Sequence, residues 1–182
     1  MKPALLLIVL LAACQDRGVA PTRVAVADSA DQVYDSMTFD ILRDGVKSSR
    51  VQAESAWVYQ GRQVANLKNM TVTSYDSTGA TISVITADKG IYTMREQSLD
   101  ARGHVVAHGL DGRVLHTEHL VYDRSRNRIN SDTAFTSTSP KANLSGASFE
   151  ADPGFKNVRV TRPKGHGKQG FVIPGQNPGG SR

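Results

Sequence analysis

Between residues 33 and 161 apolar and polar side chains alternate in short runs, and no stretch places apolar residues at i, i+3, i+4 and i+7 as an amphipathic helix would. The runs at 37–41, 70–73, 81–86, 104–107 and 113–116 draw on Val, Ile, Thr, Tyr and Phe. Asp-Gly, Thr-Gly, Pro-Gly and Arg-Asn breaks separate them. Strands of that length and spacing predict an all-β sandwich or roll.

A longer repeat overlies the alternation. Ile85-Thr86-Ala87-Asp88-Lys89-Gly90-Ile91-Tyr92 aligns with Leu115-His116-Thr117-Glu118-His119-Leu120-Val121-Tyr122 at an offset of 30. Leu144-Ser145-Gly146-Ala147-Ser148-Phe149 follows at 29, and Val51-Gln52-Ala53-Glu54-Ser55-Ala56-Trp57-Val58 precedes at 34. Each copy has an aliphatic residue, a small residue two later, a polar pair, and in most copies a further apolar residue. The frame persists downstream, where Leu99, Ile129 and Val158 correspond, as do Val105 and Phe135. The polar pairs Glu54-Ser55, Asp88-Lys89 and Glu118-His119 interrupt the period of two, which predicts a bulge or corner that re-aims the side chains.

One such unit cannot bury its apolar face alone, whereas stacked copies bury a shared one. The expected body is an elongated sandwich of short antiparallel strands lying across its long axis. Its interior is expected to be lined by Met37, Phe39, Ile41, Val51, Trp57, Ile85, Tyr92, Leu115, Leu120, Tyr122, Ile129, Phe135, Leu144, Phe149 and Val158. The alternation suits an open apolar trough and a closed, filled core equally.

The ends read differently from the body. Lys2 and Pro3 precede an unbroken apolar run at 4–13, too short to cross about 30 Å of hydrocarbon and laid out as a secretory signal. Leu11-Ala12-Ala13-Cys14 resembles a bacterial lipobox, in which the chain is cut before the cysteine and that residue is acylated. The expected division is therefore a signal at 1–13, lipidated Cys14 with a flexible linker at 14–32, a β body at 33–161 and a Gly/Pro-rich basic tail at 162–182, expected to be disordered. Acyl chains on Cys14 would hold the mature protein on a bilayer, outside the cytoplasm.

Composition removes several functions. The formal charge is +5 from 22 basic and 17 acidic residues, but Lys2, Arg162, Lys164, Lys168 and Arg182 lie in the end segments, so residues 15–161 hold 17 of each and are neutral. A basic nucleic-acid groove is not expected. Cys14 is the only cysteine, which excludes an internal disulfide and a cysteine zinc site. His116 and His119 at i and i+3 of a strand point to opposite faces, Asp35, Asp40 and Asp44 lack calcium-loop spacing, and no nucleophile motif is present. No catalytic residue, metal or cofactor is expected.

The lipid-anchored start, Asp35-Ser36-Met37-Thr38-Phe39, the repeated unit ending in Tyr122-Asp123, and the close in Leu144-Ser145-Gly146-Ala147-Ser148-Phe149-Glu150-Ala151-Asp152 together resemble the LptC family, related to the LptA/OstA bridge domains. The resemblance covers about residues 33–161. It implies a non-enzymatic OstA-like β-jellyroll, open along one side, in lipopolysaccharide export. Such a protein receives lipopolysaccharide, or a related glycolipid, from an inner-membrane ABC transporter and passes it to a periplasmic bridge protein of the LptA/OstA type. The fifteen interior residues would form the lipid trough. Jellyrolls in this family join by strand addition, which implies a first edge at 34–41 (Tyr34, Thr38) facing the transporter and a last edge at 156–161 (Lys156, Arg159, Thr161) facing the bridge. Many members begin with a membrane-spanning helix, whereas this chain would use Cys14, most simply at the inner membrane. The alternative from another class is a structural or assembly lipoprotein, at the outer membrane, whose sandwich binds protein partners.

Overall fold

The Asp44-Gly45 break joins two strands by two residues with φ of 51° and 79°, the left-handed pair that a tight hairpin turn requires. Hairpins with longer loops of four or five residues continue the pattern over residues 46–123. The computed structural model describes residues 29–140 and 142–167, and every element in them is a strand. They are β1 (Gln32–Arg43), β2 (Val46–Tyr59), β3 (Val64–Tyr75), β4 (Thr81–Thr93), β5 (Ser98–Gly109), β6 (Val114–Asp123), β7 (Arg128–Ser131), β8 (Phe135–Thr138), β9 (Ala142–Gly146), β10 (Ser148–Ala151), β11 (Val158–Thr161) and β12 (Lys164–Gly167).

All pairings are antiparallel. β1 to β6 pair in chain order, and the sheet then forks: the second half of β6 pairs β7, which leads to β10 and β11, while its first half pairs β8, which leads to β9 and β12. β7 and β8 are thus two halves of one bent strand, as are β9 with β10 and β11 with β12. The result is a simple meander of bent strands whose halves form two leaves facing each other.

The bend falls at the polar pairs. Ladder pairing lapses at Ser36, Glu54, Asn69, Asp88, Gly103-His104 and Glu118, with register shifts where β5 meets β4 and β6. Ser36, Asn69, Gly103 and His104 take positive φ there, and Arg162 does so between β11 and β12. Gly103 has a second reason to be glycine, since a Cβ would sit 2.8 Å from the Asp88 carboxylate. At the β2 corner the inward parity jumps: Val51 and Ala53 face inward before it, Ala56 and Val58 after it, and all four are buried; at the two-residue corner Gly103-His104 of β5 it does not, and Ala101 and Val105 are both buried.

The outer side of the corner is a polar ladder. Glu54 accepts hydrogen bonds from Lys68 and Asn69, and His104 Nδ1 lies 2.6 Å from Asp88 Oδ2. That contact, with the Asp88 charge and then Glu118, raises the His104 pKa above its ordinary 6.5. A group raised in the folded state gives stability that is full below its unfolded pKa and lost as pH climbs through the folded value. An NMR titration should therefore place the His104 midpoint above 6.5, and Asp88→Asn should return it toward 6.5; an unaltered midpoint in the variant would remove Asp88 as the cause.

Two sequence expectations need correcting here. The body does not stop at 161, because Lys164–Gly167 continues as β12, paired with β9. Its Gly and Pro read as breakers, yet Pro163 sits at the corner and a Cβ on Gly165 would lie 2.5 Å from the Asn143 carbonyl oxygen, so the close approach needs glycine. Likewise Lys156 precedes the edge strand: Asp152 accepts N–H bonds from Gly154, Lys156 and Asn157, folding 152–157 into a turn. Cys14, the signal, the linker up to residue 28 and the tail from 168 lie outside the described residues.

Candidate functional site

Register places the inward side chains in continuous cross-strand rows. On the first leaf Phe39, Val51, Val72, Ile85, Ala107, Leu115, Ser137 and Leu144 stand opposite one another from β1 to β9. On the second, Tyr92, Leu99, Tyr122, Ile129, Ala151 and Val158 run from β4 to β11. The leaves touch through aromatic rings: Phe39 meets Tyr92 at 4.7 Å between centroids, and Phe135 on β8 meets Phe149 on β10 at 5.0 Å, edge to face.

Of the fifteen expected interior residues, Ile41, Val51, Ile85, Leu115, Leu120, Ile129, Phe135 and Phe149 are buried, and Met37, Phe39, Tyr92, Tyr122, Leu144 and Val158 are half-buried against them. Trp57 is not interior. The parity jump at Glu54-Ser55 turns Ala56 and Val58 inward, so Trp57 stands on the outer surface beside Asn66 and Ile91. Its size suggested burial, but its position after the corner decides its face. Leu67, Met70, Leu99 and Val105 are also buried; the parity jump accounts for Leu67 and Met70 on β3, and unbroken alternation for Leu99 and Val105 on β5. Phe155, buried at 2% exposure in the 152–157 turn, carries no periodic signal.

The interior is not uniform along its length. Between Met70, Ile85, Leu120 and Ile129 only about 20 Å³ remains empty, room for about one water. Toward the last strands lies a second cleft of about 160 Å³, lined by Leu115, Phe135, Ser137, Leu144, Val158 and Val160 together with Arg113 and Lys156. Along the side opposite the corner the leaves meet in a seam. Arg43, at the end of β1, donates to the Asn127 Oδ1 at 2.8 Å and to the Tyr122 hydroxyl at 3.3 Å, while Arg124 donates back to the Leu42 carbonyl at 3.0 Å. Ser83 donates to the Pro153 carbonyl at 2.6 Å further along.

Both ends of the meander are free edges. β1, carrying Tyr34 and Thr38, pairs only β2. β11, carrying Arg159 and Thr161, pairs only β10. Asp152 N–H donates to the Asn157 carbonyl and Ala147 N–H to the Thr161 carbonyl, so the alternation turns main-chain groups of Arg159 toward β10 and those of Val158 and Val160 outward. That edge can accept another strand.

Among the described residues no three His, Cys, Asp or Glu side chains are placed to hold a metal ion. His119 instead lies between Asp132, at 2.7 Å, and Asp100, at 3.1 Å, on the outer surface.

Comparison with known proteins agrees with this geometry. Residues 4–161 match the family described as LptC, lipopolysaccharide-assembly, LptC-related. The crystal structure of LptH, the LptA homologous periplasmic component of the conserved lipopolysaccharide transport device from Pseudomonas aeruginosa, is similar with a TM-score of 0.50. Its sequence is 16% identical, and the similarity covers 71% of this chain and 90% of that one. None of the curated proteins matches the chain.

Proposed function

Since this chain belongs to the LptC family, and thereby to the non-enzymatic periplasmic components of lipopolysaccharide transport, we propose that it takes the acyl chains of lipopolysaccharide between its two leaves and passes them on at its β11 edge. The observation that carries this is the pair of inward rows, apolar on the first leaf except at Ser137, whose last members Leu144 and Val158 line the cleft. Moving acyl chains through water would expose apolar surface at about 25 cal/mol per Å², and an apolar lining without fixed polar anchors both accepts and releases them. The packed centre requires the leaves to part along the seam. As they part, packing of leaf against leaf is exchanged for packing against acyl chains of the same apolar character.

Acylated Cys14 would tether the jellyroll to the periplasmic face of the inner membrane, with residues 15–31 as the leash. β1 would meet the ABC transporter there, and β11 would add to the edge of an LptA/OstA-type bridge protein. The nearly filled centre favours a second reading, in which the sandwich is a structural lipoprotein that only binds proteins.

The two readings separate on lipid capture. Leu144→Asp puts a charge into the cleft at a half-buried position, so the fold tolerates it while the apolar lining does not. Full-length protein carrying it should retain about tenfold less lipopolysaccharide on purification than wild type. Trp57→Ala, on the outer surface, should retain the wild-type amount. Equal retention by both variants would favour the structural reading.

A further inference from the structure

The two leaves end unequally. On the second leaf the last strand, β11, brings Val158 and Val160 into the cleft of about 160 Å³. On the first leaf the last strand, β12, stands beyond Ala142 and Leu144, which line the same cleft, and sets Gly167 and Gly165 opposite them. Cross-strand partners share a face, so both inward positions of β12 are glycines and add no side chain to the cleft.

The edge of β12 faces outward as well. Ser139 N–H donates to the Ala142 carbonyl at 2.9 Å, and Ala142 N–H donates to the Ser139 hydroxyl at 3.1 Å, so both main-chain groups of Ala142 turn toward the end of β8. Antiparallel alternation then turns the main-chain groups of its partner Gly167, and those of Gly165 two residues earlier, away from β9. β12 pairs only β9. Outward main-chain groups without side-chain cover form the kind of edge that natural sheets blunt or pair.

The chain that follows has the sequence to pair it. Beyond Gly167 come Lys168-Gln169-Gly170, then Phe171-Val172-Ile173, then Pro174. A three-residue hairpin loop is a type I turn closed by a left-handed residue, where glycine is favoured, and Gly170 stands at that place. Such a loop sets Phe171 opposite Gly167, Val172 opposite His166 and Ile173 opposite Gly165. Phe171 and Ile173 then take the inward face beside the two bare positions, as aromatic and aliphatic residues do for glycine on a neighbouring strand, and Val172 takes the outer face. Pro174 has no N–H with which to continue the ladder.

We propose that Phe171-Val172-Ile173 adds to β12 as a further strand and covers the cleft at the end of the first leaf, a strap made from the chain's own C-terminal segment. Reach fixes the occupant: three residues separate Phe171 from Gly167, so this strand is present at the edge at an effective concentration no separate chain matches. Whatever enters or leaves the interior at this end must displace it, and β11 is left as the open half of the last edge. The inference does not depend on what the interior carries.

The test is hydrogen exchange of the full-length protein in detergent, read by mass spectrometry at high and at low protein concentration. The peptide spanning 171–173 should exchange at least about tenfold more slowly than unstructured chain at both concentrations. Phe171→Ser with Ile173→Ser should return it to the unstructured rate, whereas Val172→Ser, on the outer face, should keep most of the protection. Strands β2 to β6 serve as the internal reference, because these substitutions lie outside the sheet they build. The strap is overturned by exchange of 171–173 at the unstructured rate in wild type, or by a loss on Val172→Ser equal to that of the double variant. Protection that disappears on dilution would also overturn it, by placing a second copy of the chain on the edge.

Discussion

Truncating Phe135 to alanine is expected to destabilise the protein by about 3–5 kcal/mol, measured as the difference in unfolding free energy by urea titration of the full chain. Phe135 is 3% exposed, on the first leaf, and its ring packs edge to face on Phe149 of the second, which in turn lies 6.3 Å from Phe155. These three rings tie the leaves together where the sheet has forked and backbone pairing no longer does so. The surroundings cannot collapse into the gap, because Gly146, whose missing Cβ leaves space for the Phe135 ring and Val160, sits on the paired strand β9. Phe39→Ala at the other end removes a half-buried ring from Tyr92 and should cost clearly less. A loss at Phe135 below about 1 kcal/mol, the range of surface substitutions, would mean that the rings are not the tie.

Val160→Pro should abolish delivery without unfolding the jellyroll. Proline lacks an N–H and is tolerated on edge strands where that N–H faces outward. The Val160 N–H faces the free edge of β11, so no internal ladder bond is lost, and the ring replaces much of the valine volume beside Phe149. Strand addition by a bridge domain needs that same N–H. The expected result is at least a tenfold fall in co-purified bridge protein with a melting temperature within a few degrees of wild type. Normal co-purification would show that this edge is not the docking site.

The repeat is the most informative signal in the sequence, because corners in a meander of bent strands recur at fixed spacing. The aliphatic, small, polar-pair pattern of 85–92 and 115–122 is the local trace of two inward residues, a corner and an inward residue. That pattern places Ile85, Leu115, Leu120 and Phe149 in the interior from sequence alone. Trp57 escapes it because side-chain size argues for burial while the parity that Glu54-Ser55 resets argues against, and parity wins. Lys164–Gly167 is hidden by composition, since a strand of Lys, Gly, His and Gly has no apolar residue to alternate and pairs only with β9. The seam is not legible at all. Arg43 reaches Asn127 across more than eighty residues of chain, and turn sequences do not show which turns face each other.

The decisive measurement is photocrosslinking in cells, with probes at Leu115, Leu144 and Val158 inside, and at Trp57 and Arg159 outside. If the leaves carry acyl chains, lipopolysaccharide adducts form at the three inside positions, Trp57 gives none, and Arg159 yields a protein adduct. Absence of lipid adducts at Leu115, Leu144 and Val158, with a protein adduct still formed at Arg159, would show a filled core and contradict the transport role of the interior.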